Sequence, residues 1–299
     1  MGRKLTVREK QRNRLALENL PAWLAHVPAA KVGKRPHCGK SANDLLAVYP
    51  MGDPHFGMYA WAAEAGEDFD LRIAERLTYA AIDRLVASAP PARHALIIEL
   101  GDFFHSDGNA SATTAGTPVD VDTRWARVLS IGLRAMVYVV KAALRKHERV
   151  TVRIVQGNHD THSSSALALA LAAHFRSARR VTIDLSPAPR WYFRFGKTLI
   201  GATHGHQCRP KNLPAAMASE RARDWGETEF RYFYYGHVHH RNVTEHPGCV
   251  TESFRTLAPR DAWHAGQGYS AGRDMQCIVM HKRFGERVRH TCPVAMLKK

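Results

Sequence analysis

Three things are scarce in this chain of 299 residues, and each shortage closes off a class of protein. Cysteine comes to five residues, Cys38, Cys208, Cys249, Cys277 and Cys292, an odd number with no Cys-x-x-Cys pair. This argues against a disulfide framework and against a structural zinc knuckle, and reduced thiols fit a cytoplasmic protein best. Long apolar runs are missing too. No stretch of about 18 apolar residues occurs, so no membrane span is expected, and the charges that follow Met1 do not read as a signal peptide. Acidic residues are the third shortage: 27 Asp and Glu face 43 Lys and Arg, for a net charge of +16 with His neutral.

The basic excess is uneven. Residues 1–40 carry ten Lys or Arg (Arg3, Lys4, Arg8, Lys10, Arg12, Arg14, Lys31, Lys34, Arg35, Lys40) against Glu9 and Glu18, half of the total excess. Such a segment suits contact with DNA or RNA, where each neutralised phosphate releases counterions. A solvated basic arm is the plainer alternative. Residues 1–42 therefore read as a basic appendage, with a possible helix from Leu5 to Leu20 interrupted by Pro21, Pro28 and Pro36. Residues 43–299 read as one domain, since no linker-like break follows residue 43.

Within that domain, buried-strand runs (Leu45–Met51, Ala95–Leu100, Val150–Val155) alternate with helical stripes. Leu71, Ala74, Leu77, Ala81 and Leu85 mark one helix; Trp125, Leu129, Gly132, Met136, Val140 and Leu144 mark a longer one; a third runs over 166–175. The second half is strand-rich: 181–185, 191–195, 198–203, 230–235, 250–254 and 275–280. An α/β fold of two packed sheets, each covered by helices on its outer side, accounts for both halves.

Five short motifs sit at the ends of these apolar runs: Asp53-Pro54-His55, Gly101-Asp102, Gly157-Asn158-His159-Asp160, His204-Gly205-His206 and Gly236-His237-Val238-His239. Asp53/His55 and His237/His239 are spaced i, i+2, which in extended chain points both side chains the same way. Asp102 has two oxygens and can bridge two cations. Asn158 offers a carbonyl oxygen, and His204 an imidazole. The set Asp53, His55, Asp102, Asn158, His204, His237 and His239 is nitrogen and oxygen without thiolate, which suits Mn, with Fe, Zn or Ni as alternatives. Seven ligands exceed one ordinary site and fit two ions about 3.5–4 Å apart. Such a pair holds phosphate oxygens and brings the pKa of a bridging water from near 16 toward about 7. His159, next to a ligand, is the expected general acid for the leaving oxygen, with Asp160 expected to fix its tautomer.

This ordered set resembles the calcineurin-like metallophosphoesterases, over residues 52–240. The resemblance implies a four-layer α/β/β/α sandwich of two mixed sheets. It implies one metal on Asp53, His55, Asp102 and His239, and a second on Asp102, Asn158, His204 and His237. The Ser/Thr protein phosphatases of that family carry an Arg after the second motif, in a GDxxDRG setting. Here the segment is Gly101-Asp102-Phe103-Phe104-His105-Ser106-Asp107, which disfavours that branch. The Gly-Asp-Phe-Phe-His form is similar to the double-strand-break repair nucleases, and transfers to His105 a part in engaging a nucleotide phosphate. The layout through Trp225 to His240 is also similar to metallophosphoesterases of phages and prophages. Only about 60 residues follow His239, so neither a DNA-capping domain nor a coiled-coil ATPase partner is implied.

The segment 205–229 holds His206, Arg209, Lys211, Arg221, Arg223 and Trp225. His206, Arg209 and Lys211 are candidate phosphate contacts. Trp225 is either a base-stacking residue of a nucleic-acid flap or a core residue of a surface helix. The expected activity is hydrolysis of phosphodiesters in nucleic acid by attack of a metal-bridging hydroxide. The alternative is a small-molecule phosphomonoesterase or cyclic-nucleotide phosphodiesterase.

Overall fold

The run Leu45–Met51 forms strand β1, and its alternation sets the layering of the molecule. Leu46 and Val48 point to one apolar core, while Ala47, Tyr49 and Met51 point to another. The structure, a computed structural model, describes residues 30, 32–34, 36 and 43–297. The possible helix over residues 5–20 and most of the basic appendage lie outside the described residues. The described part of that appendage runs along the domain. Ala30 and Val32 pack on the core, and Ala30 donates its N–H to the carbonyl of His174 at 2.6 Å.

β1, β2 (His94–Glu99), β3 (Arg149–Ile154) and β4 (Val181–Asp184) are parallel neighbours in chain order. Helices α2 (Leu71–Ser88), α3 (Trp125–Lys146) and α4 (Thr161–Phe175) make the crossovers between them. A short helix α1 (Ala62–Ala65) precedes α2. The last two strands, β10 (Asp274–His281) and β11 (Gly285–Pro293), add antiparallel to the β1 edge, so the first sheet runs β11-β10-β1-β2-β3-β4.

The second sheet runs β5-β6-β7-β9-β8, from β5 (Trp191–Phe195), β6 (Thr198–Ala202), β7 (Phe230–Tyr235), β8 (Val243–His246) and β9 (Cys249–Ser253). β6, β7 and β9 are parallel; β5 and β8 close the edges antiparallel. Helices α5 (Leu213–Glu220) and α6 (Ala222–Glu227) lie between β6 and β7, and α7 (Ala262–Gly266) follows β9.

Three apolar clusters define the layers. Leu46, Val48, Leu96, Ile98, Ile200, Ala202 and Tyr234 fill the space between the sheets. The helices α2, α3 and α4 cover the outer face of the first sheet through Leu77, Ala81, Leu85, Met136, Val140 and Leu171. Leu213 and Met217 of α5 cover Leu199, Phe233 and Tyr235 of the second. This is the expected α/β/β/α sandwich of two mixed sheets. The helix stripe of α2 is as expected, with Asp70 capping it by accepting from Ile73 N–H at 2.6 Å. On α3 the buried face includes Gly132, Met136 and Val140 but also Val128, Ala135 and Val139, so Trp125 and Leu129 sit at its margin.

The two sheets bring carboxyl ends of parallel strands to one rim, where open α/β sheets place their ligands. All five motifs follow such ends: Asp53 and His55 after β1, Asp102 after β2, Asn158 after β3, His204 after β6, and His237 and His239 after β7.

Gly132 of α3 lets that helix close onto the loop after β2. A Cβ there would lie 2.4 Å from one ring carbon of Phe104 and 2.9 Å from one of Phe103, both fully buried. Gly132→Ala gains about 1 kcal/mol of helix propensity, but overpacking against immobile rings costs more. The expected net destabilisation is about 1–3 kcal/mol, read from urea unfolding. A midpoint at or above that of the parent would show that the rings yield.

Candidate metal centre

The loops after β1 and β2 are tied to one another before any side chain acts. His55 N–H donates to the Asp102 carbonyl at 3.1 Å, Phe56 N–H to that of Phe103 at 2.8 Å, and His105 N–H to that of Phe56 at 3.0 Å. The Phe56 and Phe103 rings stack at 4.7 Å beneath them. Thr256 Oγ1 donates to the Asp53 carbonyl at 2.6 Å, and His237 N–H donates to Asp53 Oδ1 at 2.8 Å.

On this frame the side chains of the motifs converge. Ligating atoms of Asp53, His55 and His239 lie within 4.8 Å of one another, and so do those of Asp102, His204 and His237. Asn158 joins the second group, its Oδ1 being 2.9 Å from His204 Nε2, which is 3.1 Å from Asp102 Oδ2. The Leu100 carbonyl accepts from His204 Nδ1 at 2.9 Å, which turns Nε2 toward the group. In the first group His55 Nε2 faces His239 Nε2 at 3.0 Å. Asp53 Oδ2 is buried with no hydrogen-bond partner. Facing imidazole nitrogens and an orphaned carboxylate oxygen are what a cation would satisfy. All seven expected ligands meet here, none is a thiol, and the donor chemistry fits a divalent ion of the Mn, Fe, Zn or Ni type.

Electrostatics points the same way. Asp53, Glu99, Asp102 and Asp160 are all buried. Burial, then the Asp102 charge, pushes Asp53 up to about 7 against the pull of His204. Burial and Asp102 push Asp160 up to about 8. Burial, Asp160 and Asp53 hold Glu99 well above the carboxylate range, and its Oε2 has no partner. Asp102 goes the other way: burial alone would raise it, but the charge and hydrogen bond of His204 hold it low. Burial would lower His204, yet Asp102 and Asp53 outweigh it and keep His204 at about 9. Burial and neighbouring rings bring His237 down to about 4 and His239 to about 3.

His159 lies at the lip of the second group. Its backbone N–H donates to Asp102 Oδ1 at 2.8 Å, and its Nδ1 donates to the His105 carbonyl at 2.8 Å. Nε2 is left free, 3.9 Å from Asp102 Oδ2. The carbonyl of His105 thus takes the position expected of Asp160. Asp160 instead accepts from Phe104 N–H at 3.0 Å and Gly157 N–H at 3.1 Å, pinning the loop after β2 to the loop after β3.

His105 departs from the phosphate contact expected of it. Its ring is 2% exposed and sits beside His55, Nδ1 to Nδ1 at 3.1 Å. If His55 offers Nε2 to a cation, its Nδ1 carries the proton and donates to His105, which orients the ligand. His206 is exposed, its ring 5.2 Å from that of His204 and 6.2 Å from that of His237, at the mouth of the site.

Of the two alternatives for 205–229, a flap or a surface helix, the segment is helical from Pro210 to Glu227, and two of its four cations, Arg221 and Arg223, are paired. Arg221 bonds Asp224, Arg223 bonds Glu227, and Arg194 of β5 reaches both acids. Trp225 is covered by the Arg231 guanidinium, 4.4 Å from its ring centre, so the core-packing alternative holds for it. Arg209 and Lys211 stand exposed around the turn Pro210–Asn212. Arg255 pairs with Asp274 and Arg273 with Glu67, so neither is a loose cation.

No protein-family model matches this chain, and no curated protein matches it. Among solved structures it is similar to YfcE, a phosphoesterase from E. coli, at 16% identity, a TM-score of 0.39 and coverage of 82% of this chain and 98% of that one. It is also similar to vacuolar protein sorting 29 from Cryptosporidium parvum (14% identity, TM-score 0.39, coverage 84% and 98%). A third is a conserved protein of Streptococcus pneumoniae TIGR4 described as a predicted phosphoesterase (11%, 0.33, 83% and 98%).

The glycines that precede the ligands serve a purpose the sequence did not disclose. A Cβ on Gly157 would lie 2.0 Å from Asp102 Oδ1, and one on Gly236 would lie 2.6 Å from Asp53 Oδ2. Each glycine makes room for a ligand from another motif. Gly157→Ala and Gly236→Ala are expected to lower metal affinity by at least about 10–100-fold, the loss typical of disturbed ligand support. Gly226→Ala, where a Cβ meets nothing within 4 Å, is the control. Calorimetric titration with Mn checks this, and undiminished affinity in both site variants would reject the cradle.

Acidity gives a second prediction, for protein stripped with EDTA. Folding raises Asp53 to about 7 and Asp160 to about 8 from 3.8, so their neutral forms stabilise the fold fully below 3.8 and that contribution is lost as pH rises to those values. His204, raised to about 9 from 6.5, loses its contribution as pH rises from 6.5 to 9. The depressed imidazoles act oppositely, but their gain is complete above 6.5. Metal-free protein should therefore melt at falling temperatures from pH 6.5 to 9, and saturating Mn should flatten or invert the trend. Thermal melts across that range check it.

Proposed function

We propose that this chain is a metal-dependent phosphoester hydrolase acting on phosphodiesters, with nucleic acid as its substrate. One observation carries the reading: two groups of ligating atoms, Asp53/His55/His239 and Asp102/His204/His237, converge at the strand ends of both sheets beside the free Nε2 of His159. When bound, a pair of divalent cations supplies charge for phosphate oxygens and acidifies water for attack. Manganese is the metal we favour for both positions.

The chain's own residues do the rest. Asp102, which has two oxygens, is the carboxylate we assign to both ions, and its Oδ1 also anchors the His159 backbone. With Nδ1–H engaged by the His105 carbonyl, a protonated His159 presents Nε2–H toward the site and can donate it to a departing oxygen. Asp160 and His105 are positioning residues: one pins the loop, the other orients His55 and holds the His159 ring. His206, exposed at the mouth, is our candidate contact for a substrate oxygen, and Arg209 and Lys211 follow it on the surface.

Nucleic acid is favoured over a small ester by charge. The net charge of +16, half of it in residues 1–40, suits a polyanion. The Gly-Asp-Phe-Phe-His segment agrees with this choice by resemblance.

Mn-loaded protein is expected to hydrolyse bis-p-nitrophenyl phosphate and single- or double-stranded DNA or RNA faster than p-nitrophenyl phosphate. His159→Ala should retain its metal content while losing about 10²–10⁴-fold in turnover, the usual contribution of a positioned acid. Preference for the monoester would overturn the diesterase reading, and full turnover in the variant would remove His159 from proton transfer.

A further inference from the structure

One group of side chains beside the site has no part in holding a cation or moving a proton. Helix α7 and the turn after it carry Trp263 and Tyr269, 62% and 56% exposed, with ring centres 6.0 Å apart and planes inclined at 30°. Large aromatic rings side by side in water forgo burial, which marks such a patch as a contact surface.

The patch is firmly built. Asp261 Oδ1 accepts from both the backbone N–H and Nδ1 of His264, at 2.8 and 2.7 Å. The His264 ring stacks on the ligand His239 at 5.1 Å and 28°, and meets Trp263 edge-on at 4.9 Å and Tyr269 at 5.7 Å. Arg260 donates to the carbonyls of Ala65 and Tyr269, at 2.9 and 3.5 Å, tying the turn to α1. His264 is thus a spacer, one ring thick, between a metal ligand and the aromatic pair.

We propose that Trp263 and Tyr269 form a stacking platform for a nucleobase whose phosphate lies at the metal centre; this rests on the phosphodiesterase reading above. A base presents a flat π face to such rings whatever its sequence. The surplus of positive charge suits the attached phosphates. Trp225, the aromatic of the basic segment, is closed to this use because Arg231 covers it.

The test measures binding rather than turnover. Mn-loaded full-length protein carrying His159→Ala is titrated with fluorescent oligothymidylate and with an abasic oligomer of equal length and charge, at fixed salt. The thymine oligomer should bind about tenfold more tightly, the scale of one stacked base. Trp263→Ala/Tyr269→Ala should erase the difference, and Trp263→Phe/Tyr269→Phe should keep it. Thymidine 5′-phosphate distinguishes the source of the base: quenching of Trp263 fluorescence by the mononucleotide points to free nucleotides, and a response to the oligomer alone points to nucleic acid, both supporting the platform. Equal binding of thymine and abasic oligomers, or a preference that survives the double alanine variant, overturns it. Hydrolysis of bis-p-nitrophenyl phosphate by the parent chain is scored apart. Cleavage without base preference removes the platform and keeps the diesterase; base preference without any phosphoester cleavage does the reverse.

Discussion

Four buried carboxyl groups, Asp53, Glu99, Asp102 and Asp160, crowd one rim of the molecule, and the surrounding structure answers to that crowding. Charges of one sign taken out of water repel, and each must be neutralised, paired or bound to a cation. His204 supplies one positive partner by lying between Asp53 and Asp102. Asp160 and Glu99 are eased by backbone N–H groups and by raised proton affinity. What remains uncompensated beside the imidazoles is Asp53 Oδ2, buried with no hydrogen-bond partner, and a dication is the economical answer. The site is thus a charge problem before it is a binding surface.

Backbone geometry carries the same signature. Among the described residues six non-glycine positions have positive φ, and five of them are Asp53, His55, Asp102, His237 and His239, at 43° to 70°. Asp and His tolerate this region better than most residues, but each such position costs of order 1–3 kcal/mol and persists only where its surroundings over-determine it. Here the determinants are visible: the hydrogen bonds between the loops after β1 and β2, the Thr256 hydroxyl on Asp53, and the glycines that clear space for neighbouring ligands. Strain concentrated on the candidate ligands and scarcely elsewhere is a structural argument for function independent of any motif.

The five motifs were legible because each is local, a few residues long, and placed at the end of an apolar run. The same locality made β1, β2, β3 and the stripe of α2 readable. What escaped were features that exist only across the fold. Asp160 sits next to His159 in the chain, and adjacency suggested a tautomer clamp; in space the carbonyl of His105 holds that ring. His105 was expected, by resemblance, to engage a phosphate and is buried against His55. Strand β8 is a short exposed edge with weak periodicity, and β11 is a polar edge strand whose burial does not alternate. For the segment after His206 a cationic flap and a surface helix stood as alternatives, because the further pairing of Asp224 and Glu227 with Arg194 of β5 exists only across the fold. Trp263 and Tyr269 belong to a stretch rich in Gly and small residues, with no pattern to distinguish it.

The candidate ligands are divided between the two sheets: Asp53, His55, Asp102 and Asn158 issue from the first, His204, His237 and His239 from the second. Each ligand group takes members from both. An ion held there would work as a rivet across the seam, adding to the apolar core between the layers and to the polar contacts that already cross it, such as Arg289 with Glu252 and Trp191 with Asp184. Separation of the layers would then require release of the ion, so the lifetime of the folded state, and its resistance to proteases that act on opened forms, would be governed by how slowly the metal leaves.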